Sequence, residues 1–267
     1  MTWVVGTAPP FGYSILVSDI CVSFRKADGQ QVYRDCLQKI YPMAPNILGG
    51  FAGSVRIGFE LLGTIQYQLA RVPQDYGWGL NVIANTWMPR YFRRIFNSAS
   101  EQERSLSASV ILTSAHPSLN NGDAPWPQTD VFTFKSPDFV PQKGEPFKVV
   151  AIGCGAAIPT YMSSVGNITS MDSDFLQVVT TGMANHAQSL AHALYSLVKR
   201  SPVPGISNLF QSGFVTRRQF EIFNHEYKIY GPDGQIVEER FPPIARNYKE
   251  FLALCQQYGY SAAEAVC

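Results

Sequence analysis

The stretch KIYPMAPNILGGFAGS, residues 39–54, carries the clearest fold signals in the chain. Two short β-rich runs at 38–41 and 46–52 are split by prolines, which predicts a pair of strands joined by a tight connection. The second run passes through glycines into 54–69, where apolar residues recur at helical spacing. The sequence therefore predicts a strand that turns sharply into a helix at Gly53.

The regions on either side add further strands and helices. Before the stretch, a valine-rich run at 2–7 and a second run at 13–17 flank a Pro/Gly turn and predict a β-hairpin, followed by a polar loop at 25–31. Further strands are predicted at 106–113, 130–135, 147–152, 207–210, 218–223, 226–230 and 236–239. Further helices are predicted at 80–96, 156–164, 176–199 and 248–257.

The order of these elements is strands, two helices, strands, two helices, strands. Strands that do not alternate one-to-one with helices favour antiparallel sheets, and paired helices are suited to covering sheet faces. We therefore expect an α+β fold, a four-layer α/β/β/α sandwich, as one domain over residues 1–267. Extra loops are expected at about 114–128 and 137–146, and an extended C-terminal region from about 211.

Composition excludes several classes of function. The chain has 267 residues, 46% of them apolar and 15% charged, and a net charge of +1. This balance is typical of a folded chain with a sizeable core and calls for neither nucleic acid nor an anionic membrane as partner. With no long apolar run and no secretory signal at the start, a cytoplasmic location is predicted.

The metal-ligating residue types form no recognisable motif. The five cysteines are scattered without a CxxC pair, and the four histidines form no HExxH motif. We therefore predict no catalytic metal and no cofactor.

The second residue offers a nucleophile. Threonine is small enough to permit removal of Met1, and the exposed α-amine could then accept the proton of its own hydroxyl. One residue would hold both nucleophile and base. Taken alone, a threonine at position 2 is more often simply the start of a protein.

Two charged residues fit this chemistry. Asp19 ends the second predicted strand, and Lys39 opens the quoted stretch. A nearby ammonium lowers the pKa of a hydroxyl and of an amine, and a carboxylate beside that ammonium keeps it charged. Taken singly, each is more often a surface charge at the end of a strand.

Gly53 supplies a third kind of group. A glycine at a sharp turn can present its backbone N–H to a developing oxyanion. The alternative is a plain strand-to-helix turn with Ser54 as the helix N-cap.

Together these residues resemble the N-terminal-nucleophile hydrolases of the proteasome β-subunit and HslUV peptidase type. Thr2-x-Val-Val-Gly, a hairpin ending in Ser-Asp, and residues 39–54 follow the order of that family. Gly153-Cys154-Gly155 resembles its Gly-Ser-Gly segment. The likeness covers about the first 70 residues well, 106–200 moderately and the rest weakly, as in a divergent bacterial homologue.

The resemblance implies a role for each matching position. Thr2 would be the nucleophile, Asp19 and Lys39 the pair that tunes it, and Gly53 the oxyanion donor. Cys154 stands where the family has serine, and Ser207 is a possible further partner in a region that lacks the family's late aspartate.

Three more positions would bind substrate. Ser23 matches a residue whose backbone binds an extended peptide, and Phe51 and Val55 match positions around the substrate side-chain pocket. A phenylalanine at position 51 would shorten that pocket.

The implied function is a threonine endopeptidase that degrades peptides or unfolded protein inside stacked homo-oligomeric rings, hexameric or heptameric. An ATP-dependent unfoldase is a possible partner, and nucleic acid and membrane are not expected partners. Two alternatives stay open. Cys154 and the missing aspartate favour a catalytically silent ring subunit, and Phe51 favours an acylase of the same nucleophile class acting on a small amide.

Overall fold

The structure is a computed structural model that describes residues 2–9, 11–26, 28–71, 79–116, 128–146, 148–168, 182–225, 228–230, 236–238 and 242–267. Within these ranges the chain combines helices with sheets, and each pair of hydrogen-bonded strands is antiparallel. The predicted α+β class with antiparallel sheets is confirmed.

The first five-stranded sheet contains the predicted N-terminal hairpin. Its strand order is β10-β1-β2-β11-β12. The strands are β1 (Trp3–Thr7), β2 (Tyr13–Asp19), β10 (Val150–Gly153), β11 (Phe210–Thr216) and β12 (Phe220–Asn224). All residues of β1 and β2 are buried, because neighbouring strands flank both and other elements cover their faces.

The second five-stranded sheet contains the quoted stretch. Its order is β5-β6-β7-β8-β9. The strands are β5 (Ile40–Ala44), β6 (Ile47–Gly53), β7 (Ala108–His116), β8 (Gln128–Lys135) and β9 (Gln142–Lys143). Two separate hairpins complete the strands: β3 (Cys21–Arg25) with β4 (Gln31–Asp35), and β13 (Lys228–Tyr230) with β14 (Ile236–Glu238).

Seven α-helices lie in the described ranges. They are α1 (Val55–Leu69), α2 (Leu80–Asn85), α3 (Met88–Ser98), α4 (Glu101–Ser105), α5 (Pro159–Ile168), α6 (Met183–Arg200) and α7 (Tyr248–Tyr258). Ser54 caps α1 by accepting a hydrogen bond from the N–H of Ile57. In the part of the chain that the structure describes, no helix is long and apolar enough to cross a bilayer.

Three clusters of buried apolar side chains form the core. One joins residues of both large sheets, including Val4 and Leu16 of the first and Leu48 and Ile111 of the second. A second cluster packs the other side of the second sheet against α1, α2, α3 and α7. The third packs the first sheet against α5 and α6. Because apolar side chains of each large sheet enter two clusters, both faces of its central strands are covered, whereas the edge strands β9 and β12 are more exposed.

Several expected boundaries differ from the structure. The single helix expected at 80–96 is two helices, α2 and α3, with Pro89 in the first turn of α3, where a missing N–H is tolerated. The strand expected at 207–210 begins only at Phe210, as β11, and residues 207–209 precede it. The polar loop at 25–31 is the turn of the β3–β4 hairpin, since β3 and β4 extend it on both sides.

The expected extra regions also look different. The loop expected at 114–128 is shorter, since β7 runs to His116 and β8 starts at Gln128, and 117–127 lies outside the described residues. The loop at 137–146 contains the short strand β9. The stretch from about 211 begins inside β11, which pairs with β2 in the first sheet, so it belongs to the sheet and is not appended to it.

Candidate functional site

The N-terminal hairpin places Thr2 beside Asp19. In the antiparallel pair Val4 lies opposite Ser18, so the start of β1 meets the end of β2. The backbone N–H of Trp3 donates to Asp19 Oδ1 at 2.9 Å. Both Thr2 and Asp19 are completely buried. A local feature of the sequence, a short hairpin, is therefore enough to bring these two residues together.

Lys39 reaches this pair from the start of β5. Its Nζ donates to Thr2 Oγ1, to Asp19 Oδ1 at 3.0 Å and to the carbonyl oxygen of Cys21 at 2.6 Å. An ammonium has three N–H donors, so the three bonds satisfy it. The lysine is fully buried, and the salt bridge to Asp19 compensates its charge.

The charge state of Lys39 follows from its surroundings. Burial lowers the pKa of its ammonium, but the charge and hydrogen bond of Asp19, with Cys267 and Cys21 nearby, raise it, and the net pKa lies above its ordinary value. Lys39 is therefore a cation at neutral pH. It can stabilise negative charge on the Thr2 oxygen but cannot act there as a base.

Asp19 connects four parts of the chain. Besides Trp3 and Lys39, its carboxylate accepts from the N–H of Cys21 at 3.2 Å and from the N–H of Ser207 at 3.3 Å. A carboxylate with several donors is held in one orientation. Ser207, a predicted partner, thus contacts the site through its backbone N–H.

Gly53 lies at the end of β6 with an unusual backbone conformation. Its φ is +96°, and a Cβ added there would lie 2.5 Å from the carbonyl oxygen of Ser107. Glycine is required at this position for both reasons. Its N–H donates at 2.5 Å to the carbonyl oxygen of Cys267, so it points at a backbone carbonyl, as an oxyanion donor would.

We expect Gly53→Ala to destabilise the protein by at least about 2 kcal/mol, because a side chain is strained at this φ and collides with the carbonyl of Ser107. Urea unfolding of the variant measures the loss. Gly63→Ala is the matched control, since Gly63 lies in α1 with nothing near its Cβ position, and it should stabilise by roughly 0.5–1 kcal/mol. Equal urea midpoints of unfolding for the two variants would contradict the proposed backbone strain at position 53.

Cys154 contacts the backbone of Thr2. Its Sγ donates to the Thr2 carbonyl oxygen at 3.2 Å, and the N–H of Gly155 donates to the same oxygen at 3.3 Å. Burial raises the pKa of the Cys154 thiol, which therefore stays neutral. Cys154 therefore supports the backbone just before the first strand, through its contact with the Thr2 carbonyl.

Asp35 is a site residue that the sequence analysis missed. It lies opposite Cys21 in the β3–β4 hairpin, with the side chain of Ser207 near its carboxyl. Burial raises its pKa, and nearby Asp19 acts in the same direction. A second carboxylate is thus present although the late aspartate is missing. The adjacent β-formers Val32 and Tyr33 in QVYRD, 31–35, are the local signal for its strand.

The predicted substrate-binding positions meet the last residues of the sequence. Ser23 exchanges two backbone hydrogen bonds with Val266, and the N–H of Val55 donates to the carbonyl of Ala265 at 3.2 Å. Phe51 instead lies in the core, packed against Gly58 of α1 and near the rings of Tyr41 and Phe59. It belongs to the same apolar cluster as Val55 and Cys267.

This arrangement combines a hydroxyl, an ammonium that donates to it, a carboxylate that holds the ammonium, and a backbone N–H aimed at a carbonyl. Such groups suit nucleophilic attack on an acyl carbon. No cluster of His, Cys, Asp or Glu capable of holding a metal ion occurs among the described residues. Neither a scan against models of protein families nor a search of curated proteins found a match to this chain.

Proposed function

We propose that the chain is a threonine-type N-terminal-nucleophile hydrolase that cleaves amide bonds in extended peptides or unfolded protein. The observation that carries the proposal is the position of Lys39 Nζ, which donates at once to Thr2 Oγ1 and Asp19 Oδ1 in a fully buried setting. Buried charges are costly unless paired, and a residue set of this kind is typical of functional sites.

The proposed reaction starts with the α-amine that removal of Met1 exposes on Thr2. That amine takes the hydroxyl proton while Lys39 stabilises the oxygen, and Oγ1 bonds to the substrate carbonyl carbon. The N–H of Gly53 donates to the resulting oxyanion. The C–N bond then breaks, the proton passes to the leaving amine, and water hydrolyses the ester on Thr2.

The proposal extends to the fold and the assembly. The core clusters support a four-layer α/β/β/α sandwich, because one lies between the two large sheets and the other two lie between a sheet and helices. By resemblance, we propose stacked homo-oligomeric rings that enclose the sites. Sedimentation of the purified protein tests this part, and a monomer would contradict it.

The experiment that tests the activity is intact-mass spectrometry of the purified protein before and after incubation with a peptide epoxyketone. This probe bonds to the hydroxyl and the amine of an N-terminal threonine. We expect the mass of a chain lacking Met1, then one adduct that maps to Thr2. Retained Met1, or an adduct elsewhere, would overturn the proposal.

A second candidate is a ring-forming subunit without activity. The contact of Cys154 with the Thr2 carbonyl favours it, because a thiol is a weaker hydrogen-bonding group than the serine of the family that this chain resembles. Retained Met1 on the native protein would favour this candidate.

A further inference from the structure

The last three residues of the sequence lie in the candidate peptide cleft as an added strand. Val266 exchanges two backbone hydrogen bonds with Ser23, at 2.8 and 3.0 Å. Cys267 exchanges two with Gly53, at 2.5 and 2.9 Å, and the carbonyl of Ala265 accepts from Val55. We call Ala265–Cys267 the cleft segment. It uses the same backbone groups that an extended peptide would use in strand addition.

The cleft segment also reaches the proposed nucleophile. Cys267 is 2% exposed, and its thiol lies close to the side chain of Thr2. Burial raises the pKa of this thiol to about 11, so it is neutral at physiological pH. The carbonyl of Cys267 holds the N–H of Gly53, the group proposed to bind the oxyanion. Thr2 is completely buried with the cleft segment in this position.

A short, well-anchored connection holds the segment near the cleft. Helix α7 ends at Tyr258, and its Phe251 stacks on Phe24 of β3. Tyr260 stacks on the same ring, and Glu264 accepts a hydrogen bond from Gln102 at 2.8 Å. Only a few residues link this anchor to the cleft, so the segment has a high effective concentration there.

We infer that the cleft segment is an intramolecular ligand of the peptide cleft and competes with an extended peptide for the backbone groups of Ser23 and Gly53. The occupant that the cleft holds has small or β-branched apolar side chains, alanine, valine and cysteine, with cysteine beside Thr2. A substrate that displaces it would be an extended peptide of similar character. That the segment would slow hydrolysis rests on the proposed function, but its competition with a peptide for the cleft does not depend on catalysis.

The test compares Val266→Pro with Val266→Thr in the full chain. Proline removes the N–H that donates to Ser23, whereas threonine keeps both the N–H and the shape. The probe is a fluorescent peptide with the sequence of residues 261–267, and its binding is measured by anisotropy. We expect Val266→Pro to bind it at least about tenfold more tightly than Val266→Thr, since a lost backbone bond and an unpaired carbonyl weaken the competitor.

A second measurement follows the segment without any substitution. Alkylation of Cys267, read by peptide mapping, should be slow in the parent chain and should rise when the unlabelled 261–267 peptide is added in excess. Rapid alkylation of Cys267 in the folded parent chain, or equal affinity of the two variants for the peptide, would overturn the inference. Competition by the peptide, together with retained Met1, would support the inference while removing the proposed hydrolase.

Discussion

Replacing Thr2 with alanine is expected to lower hydrolysis of a peptide amide by at least about 1,000-fold, since the variant lacks the oxygen that forms the acyl intermediate. The hydroxyl is the acceptor of the Lys39 ammonium, so its loss also leaves one N–H of that ammonium without a partner. Alanine is small enough for Met1 to be removed as before. Steady-state and stopped-flow kinetics with a fluorogenic peptide measure this rate.

Two further variants control this experiment. Thr2→Ser keeps a hydroxyl and an α-amine and should retain most of the activity. Thr7→Ala removes a hydroxyl at the other end of β1, where the residue is 2% exposed, and should leave kcat unchanged apart from any loss of folded protein. Activity of Thr2→Ala within tenfold of the parent would show that another residue is the nucleophile.

Replacing Lys39 with methionine is expected to remove both activity and stability. The substitution leaves Asp19 as a buried carboxylate without its cation, which costs about 3–5 kcal/mol. It also removes the donor to Thr2 Oγ1, so hydrolysis by the remaining folded protein should fall by at least about 100-fold. Urea unfolding gives the first quantity, and kinetics at a matched folded concentration gives the second.

The matched control for Lys39 is Lys148→Met. Lys148 also pairs with a carboxylate, that of Glu145, but both side chains are 69% exposed. An exposed pair contributes only about 0–1 kcal/mol, so the control should change neither stability nor rate measurably. If Lys39→Met unfolds at the same urea concentration as Lys148→Met, the ion pair with Asp19 does not stabilise the fold as its burial implies.

The parts of the site that sequence reasoning found depend on local structure. The hairpin of β1 and β2 brings Thr2 to Asp19 because a short turn sets the register of its two antiparallel strands. The turn at Gly53 is visible because glycine alone tolerates its backbone conformation. Both turns are specified by neighbouring residues, so a single sequence is enough to predict them.

The parts that it missed depend on contacts between distant segments. Asp35 joins the site through β4, which is short and partly exposed, so its pattern is weak. The pairing of Val266 with Ser23 joins segments that lie far apart in the sequence, and no local propensity specifies such a partner. The two helices α2 and α3 were merged because periodicity continues across the break that precedes Pro89.

Asp19 accepts hydrogen bonds from four segments, so the proposed reactivity depends on the completion of folding. Its carboxylate joins the first strand, the third strand, the lysine before β5 and the loop before β11, so the last of its donors arrives only when residues around 207 have docked. A chain still emerging from the ribosome lacks that loop and cannot orient the ammonium fully. Under the proposed function, the hydrolase would be harmless during its own synthesis and would gain its reactivity together with its final shape.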